Sequence, residues 1–126
     1  MGANVYDKAI YCLTGTATLA EINAGTTLKP AMTGRKYQIV DFRLYFNGTF
    51  TTATSIDILV GTTHVVDQAI AGCGDGVVAW HSHANATLGA AFMVATAGAI
   101  IIQKTGSTAA GGTDLIYVLN VLLADA

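Results

Sequence analysis

Tyr37-Gln38-Ile39-Val40-Asp41-Phe42-Arg43-Leu44-Tyr45-Phe46 is the stretch from which the fold is read. Taken every second residue, it puts Val40, Phe42, Leu44 and Phe46 on one face and Asp41, Arg43 and Tyr45 on the other. That is the period-2 pattern of a half-buried β-strand. Asp41 and Arg43 are same-face neighbours, placed for an exposed ion pair that is worth little by itself. Beyond Asn47-Gly48 and the Thr-rich turn over residues 49–54, Ile56, Ile58 and Val60 alternate with Ser55, Asp57 and Leu59. A second strand therefore shares the core face, as a hairpin or a Greek-key arm.

Outward from this pair, strands are expected over 17–22, 64–68, 77–83, 90–95, 98–103 and 115–123. Gly15, Gly25, Gly34, Gly48, Gly61, Gly72 and Gly74 punctuate the first two thirds at close to the spacing of sandwich and barrel strands. Thr105 to Thr113 reads as a loop without packing residues, mobile or laid against a partner. Leu115, Val118, Leu119 and Leu122 also fit helical spacing behind Thr113 or Asp114. Ile116, Tyr117, Val118 and Val121 favour a strand, because β-branched and aromatic side chains suit a pleated surface.

Composition points the same way. The chain has 17 Thr, 14 Gly and 21 Ala but a single Pro, a balance of strands and tight turns rather than long helices. At 126 residues it makes one domain. Only 11% of residues are charged, against about a quarter in ordinary soluble domains. The six Lys and Arg are scattered, so nothing points to nucleic acid. Between Asp75 and Asp114 the one charged side chain is Lys104. A stretch like that is shielded by its own core, by a partner or by lipid. Leu88 to Ile102 is too short for a bilayer span and is broken at Gly89, Gly98 and Ala99, so no membrane is expected. The start, Met1 to Lys8, has no apolar signal core, so synthesis in the cytoplasm is expected. Cys12 and Cys73 lack the spacing of a disulfide scaffold or metal knuckle and read as small buried hydrophobes.

Candidate chemistry is thin. His81-Ser82-His83 would put two imidazoles on one side of a strand about 7 Å apart, within reach of one ion. His64 is a further candidate, with Asp67 or Asp75 as a fourth ligand, but no spacing joins them. The His-x-His pair resembles the first metal motif of cupin enzymes. That family expects a Glu four or five residues beyond the second His, where Thr87 and Leu88 stand, and a later His that is absent here. No metal is therefore assigned, and His81, His83 and His64 stay weak candidates. Ser55, Ser82 and Ser107 lack a nucleophile elbow, and Asp75-Gly76 lacks the Lys and Ser or Thr of a phosphate loop. No catalytic residue, cofactor or enzymatic activity is expected. Trp80, Tyr45, Tyr117 and Phe92 are candidates for a sugar or base platform, against the commoner fate of core or interface packing.

Taken together, Ala24-Gly25-Thr26-Thr27-Leu28, Gly34 to Phe42, Ser55-Ile56-Asp57-Ile58 and Gly98 to Gly106, leading through Gly111-Gly112-Thr113 into the closing strand, resemble the single jelly-roll decoration or cement proteins of tailed bacteriophage heads. The resemblance implies an all-β fold, a single jelly-roll or antiparallel β-sandwich of about eight strands, over residues 14–126, with residues 1–13 as an N-terminal arm. It implies a structural virion protein on the capsid surface: a homotrimer that binds the major capsid protein and stabilises the shell. The alternative is a glycan- or receptor-binding jelly-roll module of a head fibre or tail tip, and a cupin-like metal-binding barrel ranks behind it. Ile100, Ile101, Ile102, Leu115, Tyr117 and Leu119 are the expected subunit interface, because these strands are apolar on both faces while a monomeric sheet needs one dry face.

Overall fold

The computed structural model describes residues 9–82 and 84–125. Among the described residues nine strands, β1 (Ala9–Thr18), β2 (Thr26–Lys29), β3 (Arg35–Asn47), β4 (Thr51–Val60), β5 (Thr63–Ala69), β6 (Val78–Trp80), β7 (Ala86–Leu88), β8 (Ile100–Ala110) and β9 (Asp114–Asp125), form two antiparallel sheets. One is ordered β1-β9-β3-β6 and the other β2-β8-β4-β5-β7. The pairings are nested. β1 pairs with β9, β2 with β8, β3 with β6 and β4 with β5, while β9–β3 and β8–β4 close the two sheets. An antiparallel ribbon folded double and wrapped on itself has this order, which is that of the jelly roll. β7 adds a short strand at the β5 edge.

Between the sheets lies one core. Phe42, Leu44 and Phe46 from β3 face Ile56, Ile58 and Val60 from β4, all at 3% exposure or less. Ile100 and Ile102 from β8 and Leu115, Leu119 and Val121 from β9 complete it. Each such side chain contributes about 1.5–3 kcal/mol by leaving water. Tyr37 and Ile39 also face inward although they are out of phase with Phe42, because a bulge between Ile39 and Asp41 leaves Val40 unpaired against β9. Asp41, Arg43 and Tyr45 point outward as expected. β3 and β4 belong to different sheets, so the Greek-key arm and not the hairpin describes them.

Four expectations are corrected: the strand over 17–22, the strand over 90–95, the loop over 105–113 and the burial of Cys12. The strand expected over 17–22 stops at Thr18, and Leu19–Ala24 form a short helix, α1. The Thr18 side chain accepts from the Glu21 N–H while the Glu21 carboxylate accepts from the Thr18 N–H, a reciprocal capping box. Residues 90–95 are a run of turns with Met93 at φ 63°, and the edge pairing nearby is a single bridge between Tyr37 and Thr96. Residues 105–110 are not a loop: β8 carries them as strand alongside β4, because Thr51, Ala53 and Ser55 supply backbone partners for a segment whose one core side chain is Ala109. The arm expected over 1–13 lies outside the described residues as far as residue 8, and Ala9–Leu13 are already paired with β9. Cys73 is buried, but Cys12 is exposed, because it sits on the outward side of β1 opposite Asn120.

Among the described residues, no helix is long and apolar enough to cross a membrane.

Candidate functional site

The two outer sheet faces differ in chemistry. On the β1-β9-β3-β6 sheet, register sets Thr16, Ile116, Tyr45 and Val78 in one row and Thr14, Val118, Arg43 and Trp80 in the next. Ile116, Tyr45 and Trp80 are among the most exposed large apolar side chains, as is Ile10 near the start of β1. Arg43, Tyr45, Val78 and Trp80 line one open groove. Of the four aromatics picked out from sequence, Trp80 and Tyr45 thus share a surface. Tyr117 is buried in the core and Phe92 packs edge-on against Phe42, so neither belongs to a platform.

The expected subunit interface is corrected on the same grounds. Ile100, Ile102, Leu115 and Leu119 are fully buried and Tyr117 nearly so, all within the single chain's core. Their apolar character is consumed by the facing sheet. Ile101 points the other way and is half-buried, and Ile116 and Val118 are among the outward positions of β9.

The β2-β8-β4-β5-β7 sheet carries a polar cluster on its outer face. Asp57 of β4 lies directly across from Asp67 of β5, and Leu59 across from His64. In a regular strand His64 and Asp67, three apart, would project to opposite faces. Here the register shifts between Ile58, paired with Val66, and Leu59, paired with His64, so Val65 is left over as a bulge and both polar side chains project outward. The Val65 carbonyl accepts the Gly89 N–H at 2.8 Å. Glycine is required at 89 because a Cβ there would stand 1.7 Å from the His64 carbonyl oxygen.

His64 Nδ1 lies 2.6 Å from an Asp67 oxygen and 3.9 Å from Asp57 Oδ2. The Asp57 side chain has no exposure at all, whereas His64 and Asp67 are about 41% and 35% exposed. Ser55 donates its hydroxyl to Asp57 Oδ1 at 2.6 Å, and Thr105 donates to Asp57 Oδ2. Burial pushes the Asp57 carboxyl above the usual carboxylate range; the two hydroxyl donors oppose that and Asp67 adds to it. Above the cluster opens a cavity of about 340 Å³ lined by Thr54, Ser55, His64, Asp67, Ala69, Thr87 and Thr105.

Of the metal candidates named from sequence, His64 joins Asp67 here, and Asp57 joins them unannounced. Its position in an alternating strand marked it only as outward-facing. His81 is elsewhere, past the end of β6 on the other sheet, with Nδ1 2.6 Å from Asp41 and its ring stacked on Phe92. Asp41 therefore pairs with His81, where sequence suggested Arg43. Asp75 accepts the Gly48 N–H and holds a turn. His83 lies outside the described residues.

No family model and no curated protein matches the chain. Among solved structures it is similar to the cyanophage Pam1 capsid asymmetric unit, at 18% identity and a TM-score of 0.37 over 90% of this chain and 81% of that one. It is similar to a chain of the Nora virus structure at 8% identity and a TM-score of 0.39, covering 94% of this chain and 60% of the other. The SPBc2 prophage-derived protein YomS follows at 12% identity and 0.29, over 90% and 93%. The jelly-roll assignment stands on the nested strand pairing.

Proposed function

We propose that the chain is a structural virion protein, a homotrimeric decoration subunit that binds the shell of a phage head and stabilises it. The observation that carries this reading is the outer face of the β1-β9-β3-β6 sheet, where Tyr45, Trp80 and Ile116 are exposed together beside Arg43, with Ile10 farther along β1. Apolar side chains grouped on one rigid sheet mark an association surface. Copies of the same chain are the natural occupant, because closed symmetric homo-oligomers are the commonest kind of soluble assembly. Binding only to the assembled shell would then stabilise the particle by mass action. A second reading, a glycan-binding module, is favoured by the groove in which Trp80, Tyr45 and Arg43 meet.

Native mass spectrometry at micromolar concentration, together with mass-spectrometric analysis of purified particles, tests the first reading. A trimer and a stoichiometric presence on the particles are expected. A monomer absent from particles overturns it, and binding to immobilised glycans that is lost in Trp80→Ala would put the second reading in its place.

A further inference from the structure

We propose that Asp57, His64 and Asp67 form a binding site for one divalent transition-metal ion of the zinc or manganese type, on the outer face of the β2-β8-β4-β5-β7 sheet. This stands apart from the association surface, which lies on the other sheet.

Geometry comes first. One ligand atom from each of the three residues lies within 4.8 Å of the others. A tetrahedral ion bonded at about 2.0–2.2 Å holds its ligand atoms about 3.3–3.6 Å apart. The present separations from His64 Nδ1, 2.6 Å to Asp67 and 3.9 Å to Asp57, fall on either side of that value. A shift of the partly exposed His64 ring by less than an ångström toward Asp57 equalises them. All three residues stand on adjacent hydrogen-bonded strands, which fixes their Cα positions.

Charge comes second. Asp57 and Asp67 are cross-strand partners, and like charges directly opposite each other destabilise a sheet. Among the described residues, neither has a Lys or Arg within ion-pair distance. Lys104, nearest along β8, pairs in register with Ile56 and donates to the Gly106 carbonyl. Two carboxylates, one neutral imidazole and one divalent ion sum to zero.

The surroundings are those of a metal ligand set. Ser55 and Thr105 hold both oxygens of the buried carboxylate, as outer hydrogen bonds commonly orient a metal-bound Asp. The cavity above leaves room for water in the remaining coordination positions. One nitrogen and two carboxylates suit zinc or manganese; an all-oxygen set would have suited calcium or magnesium.

The test is isothermal titration calorimetry of the whole chain, stripped with EDTA, against Zn²⁺, Mn²⁺ and Mg²⁺ in turn, with Co²⁺ absorption as a report on the ligand set. One equivalent of Zn²⁺ or Mn²⁺ is expected to bind, Mg²⁺ at least about 100-fold more weakly. His64→Ala and Asp67→Asn, both at partly exposed positions, should each weaken binding by about 100-fold or more and abolish the cobalt band. Thr105→Val should cost about 10-fold. No binding at 100-fold excess metal overturns the proposal. So does binding that His64→Ala and Asp67→Asn leave unchanged while circular dichroism shows both variants folded.

Discussion

Cys12 and Cys73 show how far one side chain's chemistry depends on which face of a strand or turn it occupies. Cys73 is fully buried, donates weakly to the Ala69 carbonyl, and has its thiol pushed up to about 12 by burial, with the Asp57 charge adding to the shift. Burial disfavours the thiolate, and the thiolate is the nucleophile. At pH 8 only about one Cys73 in ten thousand is ionised in the folded chain. Alkylation with iodoacetamide at that pH, read by intact mass, should therefore add one group, at Cys12, and a second only after denaturation. Two groups added at similar rates to the native chain would contradict the burial of Cys73. From sequence the two thiols looked alike. Nothing within a few residues of Cys12 reveals that its neighbour across the ladder is Asn120.

Among the elements, α1 is one that sequence periodicity concealed, as it also concealed β2, β7 and most of β1. Its six residues are too few for a helix to persist alone. Thr18 closes β1 in an extended conformation, at ψ 162°, and also caps the helix, so a single residue ends one element and starts the next. The signal was present as Thr18-Leu19-Ala20-Glu21, a Thr followed three positions later by Glu. Asn23 then fastens the helix to β8, giving its side-chain N–H to the Ala109 carbonyl and accepting the Ala109 N–H. Thr18→Ala removes the acceptor for the Glu21 N–H and should cost about 1 kcal/mol, measured by urea denaturation. A loss below a few tenths would mean that the Asn23 anchor holds the helix by itself. β5 makes the opposite point. Its strand character was legible over 64–68, but its bulge at Val65 was not, because the hydrogen-bonding partner of a residue is absent from its local pattern.

At the scale of the whole molecule, the nested pairing of the first strand with the last makes most contacts long-range, which slows folding to milliseconds or longer. It also sorts the surface into two faces of unlike chemistry, one exposing Tyr45, Trp80 and Ile116 and one carrying the Asp57, His64 and Asp67 cluster. Ile116 is 47% exposed on the first of these. Ile116→Lys should leave the stability of the isolated subunit within about 0.5 kcal/mol, since it opens no cavity and buries no charge in the monomer. Placed in an interface of identical copies, the same lysine brings like charges together and should dissociate the oligomer. Sedimentation velocity of the variant at several concentrations checks this, and an unchanged association state would move the interface elsewhere.

By itself the sequence determined the all-β class and much of the core, because Phe42, Leu44, Phe46, Ile56, Ile58 and Val60 alternate with a period that a strand converts directly into a buried face. It also marked the outward direction of Asp41, Arg43, Tyr45 and Asp57. Only the tertiary structure decided that Ile100, Ile102, Leu115, Tyr117 and Leu119 face the chain's own core while Ile116 remains outside. Only the structure brought Asp57, on the preceding strand, beside His64 and Asp67. The physical reason is the same in both cases: alternation is a local property of the backbone, whereas register, bulges and the covering of a face are set by strands that meet from distant parts of the chain.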